Sequence, residues 1–212
     1  MKIGIYGGTF DPFHRGHLET ALAARDTMQW DRIIFVPAFV QPFKQDRTFA
    51  SPYHRFAMIA AATIDRDFLF ASSVELERGR VSYTVETLEE LRAQHPGDTL
   101  DWVIGDDNLE KLHEWKSPDR IFELANFAVL VRSGREVPAD LASRVCDPDR
   151  RPAHGAISFA GNPIVTVSST EVRQRVEDGQ SIDELVPPPV SRYIHHYGLY
   201  RKAQREQFVP RE

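Results

Sequence analysis

The sequence predicts an α/β protein with a doubly wound, mostly parallel sheet that carries helices on both faces. Apolar runs of strand length recur along the chain, and segments with helical spacing separate them. Strands that alternate with helices typically form parallel sheets covered on both sides. At 212 residues the chain also has the length for one well-buried core of this kind, which we interpret as Rossmann-like.

The six predicted strands are short and rich in aliphatic and aromatic residues. They cover residues 3–6, 33–36, 68–74, 100–104, 127–131 and 164–167. A helix is predicted over residues 18–28, after the first strand. Two further helices are predicted to begin at Ser51-Pro52 and Ser117-Pro118, because each pair places a capping serine before a proline at the first helical position. Ser168 or Ser169 is expected to cap a helix over residues 170–176.

Two segments lack clear periodicity. Residues 41–50 follow the second strand at the edge where open α/β sheets bind ligands, so this segment is a candidate substrate loop. Residues 133–156 are rich in Pro, Arg and Asp and are interpreted as surface decoration, with at most a short helix near residues 139–145. We expect one domain over residues 1–200 and a polar C-terminal tail over residues 201–212.

The composition narrows the class of protein. A formal net charge of -5 gives no general reason to bind nucleic acid or an anionic membrane. The single Cys146 fits a reducing compartment, the first residues lack the apolar stretch of a signal peptide, and no apolar run is long enough to span a bilayer. We therefore expect a cytoplasmic enzyme or binding protein that acts on small molecules. The sequence leaves the oligomeric state open, and a homo-oligomer is compatible with it.

The most informative segment follows the first strand and precedes the first predicted helix. It reads Gly7-Gly8-Thr9-Phe10-Asp11-Pro12-Phe13-His14-Arg15-Gly16-His17. Glycines let the backbone pass close to a bulky ligand, and the unpaired amides at the start of a helix attract anions. His14 and His17 can add imidazole N–H donors for phosphate oxygens. The segment therefore predicts a phosphate site.

Two common nucleotide motifs do not fit this segment. The G-x-G-x-x-G spacing is absent and no acid that could hold a ribose follows the second strand, which argues against a dinucleotide fingerprint. No Lys-Ser/Thr pair follows the glycines, which excludes a P-loop. Two other interpretations of His14 and His17 remain open. The two residues could only cap a helix or pack together, or they could belong to a zinc site, although no nearby cysteine or carboxylate cluster would complete four ligands.

A second candidate anion site lies near the far end of the chain. It reads Val167-Ser168-Ser169-Thr170-Glu171-Val172-Arg173. Hydroxyls and amides at a helix N-terminus, with an arginine one turn later, suit a phosphate. The Ser-x-x-Glu spacing is also that of an ordinary capping box, and Arg173 could be a solvated helix charge. This segment alone does not separate the two interpretations.

Together the two segments resemble the HxGH-type nucleotidyltransferases. The residues that carry the resemblance are Gly7-Gly8-Thr9-Phe10-Asp11-Pro12, His14-x-Gly16-His17 and Ser168-Ser169-Thr170-x-Val172-Arg173. Within that superfamily the chain is similar to the bacterial nicotinate-nucleotide adenylyltransferases over nearly its whole length. The supporting matches are Pro42-x-Lys44, Ser82-Tyr83-Thr84 with Thr87-Leu88, Ile104-Gly105-x-Asp107, Trp115, Val131-Arg132, and Tyr193-Ile194 with Gly198-Leu199-Tyr200.

The resemblance implies an activity in NAD biosynthesis. AMP would pass from ATP to nicotinate mononucleotide, giving nicotinate adenine dinucleotide and pyrophosphate. The acceptor phosphate would attack in line, without a covalent intermediate, and Mg²⁺ would be held through the ATP phosphates rather than by protein ligands. This agrees with the residues themselves, because no activated nucleophile stands out in the sequence.

The resemblance also implies roles for individual residues. His14, His17 and Arg173 would be catalytic. ATP would be bound by Gly7, Gly8, Thr9, Phe10, His14, His17, Gly105, Asp107, Arg132, Ser169, Thr170 and Arg173. Nicotinate mononucleotide would be bound by Lys44, Tyr83, Thr84 and Trp115. Purely structural roles remain open for Trp115, as a partly buried ring, and for Tyr83-Thr84, as a helix cap. Asp11 is expected to brace the turn, together with Pro12, rather than to bind metal.

Three positions depart from the pattern of the family. Phe43 stands where a histidine commonly precedes the loop lysine, Arg15 stands where neutral residues are frequent, and Asp106 adds a carboxylate beside Asp107. Two rival functions are kept. One is a sibling adenylyltransferase that uses nicotinamide mononucleotide or phosphopantetheine. The other is a nucleotide-binding module without turnover.

Overall fold

The computed structural model describes residues 1–42, 49–131, 134, 136–163 and 165–202. These residues form strands β1 (Lys2–Gly8), β2 (Arg32–Pro37), β3 (Leu69–Ala71), β4 (Thr99–Gly105), β5 (Asn126–Leu130) and β6 (Ile157–Ala160). The α-helices are α1 (Arg15–Met28), α2 (Pro52–Thr63), α3 (Val74–Arg78), α4 (Thr84–Gln94), α5 (Pro118–Leu124), α6 (Ser169–Glu177) and α7 (Pro188–Tyr197). Short 3₁₀ helices cover Asp106–Glu114, Ala142–Arg144 and Pro148–Arg150.

The six strands form one sheet in the order β3-β2-β1-β4-β5-β6, and every neighbouring pair is parallel. The chain runs outward from β1 through β2 to β3, then returns to the other side of β1 with β4. The strand order therefore reverses between β1 and β4, which is where doubly wound sheets bind ligands. The predicted Rossmann-like α/β class is confirmed.

Residues on each strand alternate between two apolar cores, one on each face of the sheet. On β2, Ile33 and Phe35 pack with apolar residues of α1, α2 and α7. Ile34 and Val36 point the other way and pack with α4 and α5. Both faces of the sheet are thus covered by helices, as the near-continuous apolar strands require. No helix in the described part of the chain is long and apolar enough to cross a membrane.

Four predicted helix starts can be compared with the structure. Ser51 caps α2 by accepting from the His54 N–H at 3.3 Å, and Ser168 caps α6 by accepting from the Glu171 N–H at 3.1 Å. Helix α5 does begin at Pro118, but the side chain of Ser117 makes no capping hydrogen bond, so the predicted cap is wrong. The first helix starts at Arg15, three residues before its predicted start at residue 18.

The predicted strand at residues 164–167 is wrong. Residues 165–167 are irregular, residue 164 is outside the described residues, and the sixth strand is Ile157–Ala160. Hydrogen bonds with β5 determine which residues form the sixth strand. Phe127 donates to the Ala156 carbonyl at 2.8 Å, and the Asn126 side chain accepts from the Ala156 N–H at 3.0 Å. The predicted strand at residues 68–74 is also shorter, because Val74 already opens α3.

In the segment predicted as surface decoration, residues 133–156, the side chain of Arg151 reaches into the core. The guanidinium of Arg151, only 2 % exposed, pairs with the fully buried carboxylate of Asp101 on β4 at 2.9 Å. The same carboxylate accepts from the Trp30 indole N–H at 2.6 Å and from the Asn126 amide at 3.0 Å. Arg151 also donates to the carbonyl of Met28 at the end of α1. This ion pair therefore fastens the long segment to the sheet.

We expect Arg151→Met to lower the free energy of unfolding by about 3–5 kcal/mol, because it leaves the Asp101 carboxylate buried without its cation. The measurement is urea denaturation. Arg150→Met is the matched control, since Arg150 is the exposed neighbour. Equal losses in the two variants would contradict this role for the buried pair.

Candidate active site

Three predicted ATP-binding residues, Gly7, Gly8 and Gly105, lie at the carboxyl ends of β1 and β4, where the strand order reverses. Gly8 ends β1 and Gly105 ends β4. The chain after β2 joins the same edge, because the Ala38 N–H donates to the Gly8 carbonyl at 2.9 Å. An open crevice at this edge is the expected ligand position in a sheet of this type.

The two glycines at the end of β1 make room for aromatic rings. A Cβ on Gly7 would lie 2.5 Å from the Trp102 ring, and a Cβ on Gly8 would lie 2.9 Å from the Phe10 ring. Any side chain at Gly7 would therefore displace the indole that packs across β1 and β4. Close packing inside the protein accounts for these two glycines, beside the ligand approach that the sequence suggests.

His14 and His17 stand at the start of α1 with their rings stacked, 3.6 Å between centroids. His14 is the N-cap residue, and its backbone N–H donates to Nδ1 of His17 at 3.3 Å. To accept this bond, Nδ1 of His17 must be unprotonated. The proton of the neutral ring is then on Nε2, so His17 carries its N–H donor on the opposite side of the ring. The aromatic rings of Phe10 and Phe13 also pack around His17.

Gly16, between the two histidines, lies where α1 meets the segment that leads into α6. A Cβ there would be 3.0 Å from the His14 ring and 3.3 Å from the carbonyl oxygen of Val167. A larger residue would push the His14 ring or the start of α6 away. The glycine of the His-x-Gly-His motif therefore brings the two helix N-termini close together.

Helix α6 is docked on the loop that precedes His14. The Ser169 hydroxyl donates to the Pro12 carbonyl at 3.0 Å, and the Arg173 guanidinium donates to the Asp11 carbonyl at 2.6 Å. Arg173 also donates to the Thr170 hydroxyl at 3.2 Å. The structure thus brings Ser169, Thr170 and Arg173 to the loop that carries the histidines. Two helix N-termini, each with a partial positive charge, meet at this loop.

Below this loop lies a buried pair of opposite charges, Asp11 and Arg55. The Asp11 carboxylate accepts from the Phe49 N–H at 2.7 Å, the Ala50 N–H at 3.2 Å and the Tyr200 hydroxyl at 2.7 Å. Asp11 therefore braces the turn, as predicted, and its oxygens already have protein partners. Burial raises the pKa of Tyr200 well above its ordinary value, and the Asp11 carboxylate adds to that shift, so the hydroxyl stays a donor.

Arg55 is a fully buried side chain of α2 that joins three segments. Its guanidinium donates to the carbonyls of Thr9 at 2.6 Å, Phe39 at 3.1 Å and Ala50 at 3.3 Å. Burial lowers the pKa of Arg55, and the nearby Asp11 carboxylate opposes this shift. The sequence interpretation missed Arg55 and the contact of Tyr200 with Asp11. The available signal was that Arg55 precedes Met58 and Ile59 by three and four positions on the apolar face of α2.

Two of the residues predicted for the acceptor lie at the start of α4, beside the chain after β2. Tyr83 is the N-cap of α4 and Thr84 its first residue. The Ser82 N–H donates to the Val40 carbonyl at 2.9 Å, which holds this helix start beside the chain after β2. Lys116, next to Trp115, lies 4.4 Å from the centroid of the Tyr83 ring. Tyr83, Thr84 and the segment of Trp115 are thus neighbours.

Trp115 itself is half-buried, with its ring edge-on to Phe127 at 6.1 Å. Asp107, which is predicted to bind ATP, is exposed just after β4. Its neighbour Asp106 is buried and accepts from the Gly134 N–H at 2.7 Å, which ties the loop after β5 to the end of β4. Lys44 and Arg132 lie outside the described residues.

In the part of the chain that the structure describes, no group of three or more His, Cys, Asp or Glu side chains is placed to hold a metal ion.

The family model of cytidylyltransferase-like proteins matches residues 5–175, from β1 through most of α6. The match includes both helix N-termini at the crevice. The fold and the site thus define a nucleotidyltransferase.

Two bacterial relatives show to which family of nucleotidyltransferases the chain belongs. A protein of Opitutus terrae is 40% identical over 205 residues, covering 96% of this chain and 100% of the relative. A protein of Thermoanaerobacter is 36% identical over 205 residues, covering 96% of each. Both bear the name "Probable nicotinate-nucleotide adenylyltransferase". The chain therefore belongs to the nicotinate-nucleotide adenylyltransferase family.

A solved structure agrees with the fold. The Plasmodium falciparum nicotinic acid mononucleotide adenylyltransferase complexed with NaAD superposes with a TM-score of 0.69. The two chains are 19% identical, and the match covers 94% of this chain and 97% of the other. At this identity the likeness speaks for the shared architecture.

We expect Tyr200→Phe to lower the free energy of unfolding by about 1.5–3 kcal/mol, because a buried carboxylate loses one of its donors. Urea denaturation measures the effect. Tyr53→Phe removes the same hydroxyl from a side chain that is 65% exposed, and should change stability little. A Tyr200→Phe protein as stable as this control would show that the bond to Asp11 does not hold the loop.

Proposed function

We propose that the protein transfers AMP from ATP to nicotinate mononucleotide, giving nicotinate adenine dinucleotide and pyrophosphate. The main support for this proposal is that two helix N-termini meet at a single loop. His14 and His17 stand at the first, and Ser169, Thr170 and Arg173 stand at the second. An array of N–H and hydroxyl donors of this kind suits a polyphosphate better than a single phosphate. The relatives, by their names, act on nicotinate nucleotides.

The chemical step is a displacement at the α-phosphorus of ATP. An oxygen of the acceptor phosphate forms a bond to that phosphorus while the bond to the pyrophosphate oxygen breaks, and the electron pair leaves with pyrophosphate. His17 donates its Nε2–H to the α-phosphate, where negative charge is redistributed in the transition state. His14 contacts the same polyphosphate. The protein supplies orientation and charge stabilisation, and no side chain has to act as nucleophile.

The leaving pyrophosphate is held by α6. Ser169, Thr170 and Arg173 bind the β- and γ-phosphates, and Arg173 neutralises part of the charge on the departing group. The guanidinium has five N–H donors, and its bonds to Asp11 and Thr170 fix its plane while leaving others to bind phosphate. Backbone groups of Gly7, Gly8, Thr9 and Phe10 line the turn beneath the phosphates.

The nucleoside and the acceptor occupy the two sides of the crevice. Gly105 and Asp107 bind the ribose hydroxyls of ATP, and the backbone near Arg132 contacts adenine. On the acceptor side, the amides of Tyr83 and Thr84 at the start of α4 receive the nicotinate carboxylate, and Trp115 stacks on the pyridine ring. The Lys116 side chain beside Tyr83 adds positive charge there. Lys44 is assigned to the acceptor phosphate.

Mg²⁺ is proposed as the cofactor, bound to ATP rather than to a protein cage. The carboxylate of Asp11, in the loop that precedes His14, already accepts three hydrogen bonds from the protein. This arrangement fits a metal whose ligands come from the phosphates. When bound there, the metal would neutralise phosphate charge. Because the substrates are nucleotides of central metabolism, we also propose the cytoplasm as the compartment.

The reaction is tested by mixing the protein with ATP, Mg²⁺ and a panel of acceptors and measuring pyrophosphate. We expect release with nicotinate mononucleotide, and a much lower kcat/KM with nicotinamide mononucleotide, because the latter lacks the carboxylate that the α4 N-terminus attracts. Equal values for the two acceptors would contradict the assigned carboxylate site. Release only with phosphopantetheine would favour the sibling enzyme, and no release from folded protein would favour a binding module.

His17→Ala should lower kcat by about 10²–10³, because the lost donor acts mainly in the transition state. The acceptor KM should change little. His113→Ala is the matched control, since the His113 side chain is 73% exposed on the 3₁₀ helix after β4. A rise in acceptor KM with unchanged kcat would show that His17 serves binding rather than catalysis.

A further inference from the structure

Glu75 is a buried carboxylate that the proposed reaction does not use. It lies on the short helix α3 and is 4% exposed. The Thr87 hydroxyl donates to it at 2.7 Å, and the Ser82 hydroxyl bonds to it as well. Burial raises the pKa of Glu75, while these two hydrogen bonds oppose the shift. Burying a carboxylate costs free energy unless hydrogen bonds satisfy its oxygens. The side chains that donate to Glu75 are therefore held in place.

Both hydroxyls also accept a hydrogen bond from another group. The Ser82 oxygen accepts from the Phe39 N–H at 3.1 Å, and the Thr87 oxygen accepts from the Arg78 guanidinium at 2.7 Å. The Thr87 proton has two acceptors, Glu75 at 2.7 Å and the Tyr83 carbonyl at 3.4 Å, and the contact with Glu75 is the shorter. A carboxylate has only acceptor oxygens, so Glu75 can receive the protons of both hydroxyls.

The cluster joins two segments that border the acceptor side of the crevice. Through Ser82 it holds Phe39, in the chain after β2, and through Thr87 it holds the first turn of α4. Tyr83 and Thr84, the residues assigned to the nicotinate carboxylate, lie between Ser82 and Thr87 in the sequence. The orientation of their backbone amides is thus set from both sides by one carboxylate.

We propose that Glu75 is a positioning residue for the acceptor: by holding Ser82 and Thr87, it aims the N-terminus of α4 at the nicotinate carboxylate. This inference rests on the proposed function. Glu75 touches no substrate, and its effect passes through Tyr83 and Thr84. If Glu75 can no longer accept hydrogen bonds from both hydroxyls, the amides that bind nicotinate mononucleotide should be misaligned. The loop that binds the ATP phosphates should stay in place.

The test is steady-state kinetics of Glu75→Gln with nicotinate mononucleotide and ATP varied in turn. Glutamine keeps the shape, but its NH₂ replaces one acceptor oxygen of the carboxylate, so one of the two hydroxyls loses its acceptor. We expect the acceptor KM to rise about tenfold, as for the loss of one to two hydrogen bonds, while the ATP KM stays within about twofold. The matched control is Glu77→Gln, the same change on the exposed side of α3, which should leave both constants unchanged.

A second pair of variants covers the case in which Glu75→Gln does not fold. Thr87→Val removes one hydroxyl without changing the shape, and Thr87→Ser keeps it. We expect the acceptor KM to rise in Thr87→Val and to be restored in Thr87→Ser.

The possible results are distinguishable. An acceptor KM in Glu75→Gln equal to that of Glu77→Gln, or equal rises in the KM values of acceptor and ATP, would overturn the positioning role and leave the proposed function intact. A wild-type protein that makes no dinucleotide from nicotinate mononucleotide would overturn both.

Discussion

The site depends on a buried pair of opposite charges beneath the loop after β1. The Asp11 carboxylate and the Arg55 guanidinium are both removed from water, and together they make hydrogen bonds to the backbone of three loop segments. The Arg55 guanidinium donates one hydrogen bond to each of the carbonyls of Thr9, Phe39 and Ala50. Because a buried charge is stable only when its partners are in place, the pair permits few alternative loop positions.

The functional groups above this pair are held by the loop that it fixes. Ser169 and Arg173 bind loop carbonyls, and Gly16 lets the His14 ring lie close to the entry of α6. The hydrogen bond from the His14 amide to His17 then determines which ring nitrogen of His17 can donate. Donors arranged in this way before substrate binds need little reorganisation during the reaction, which is how a site without a nucleophile can stabilise charge.

The acceptor side follows the same principle with a different buried charge. There the carboxylate of Glu75 receives two hydroxyl protons and ties the chain after β2 to the start of α4. Arg55 contacts the same chain from below through the Phe39 carbonyl. Each half of the proposed site is thus supported by a charged side chain that does not itself reach the substrates, while most of the residues that would reach them stand at helix starts.

The sequence by itself determined the fold class, the strands near the centre of the sheet and the two helix starts proposed to bind anions, because apolar periodicity, caps and glycine turns are local properties. It did not determine the edge strand, since two apolar runs compete and only residues 157–160 pair in register with β5. Nor did it identify Arg55, Glu75 or Arg151 as buried. The tertiary structure decided those positions, because a buried charge depends on partners that folding brings together, as in the contact between Arg151 and Asp101 across 50 positions.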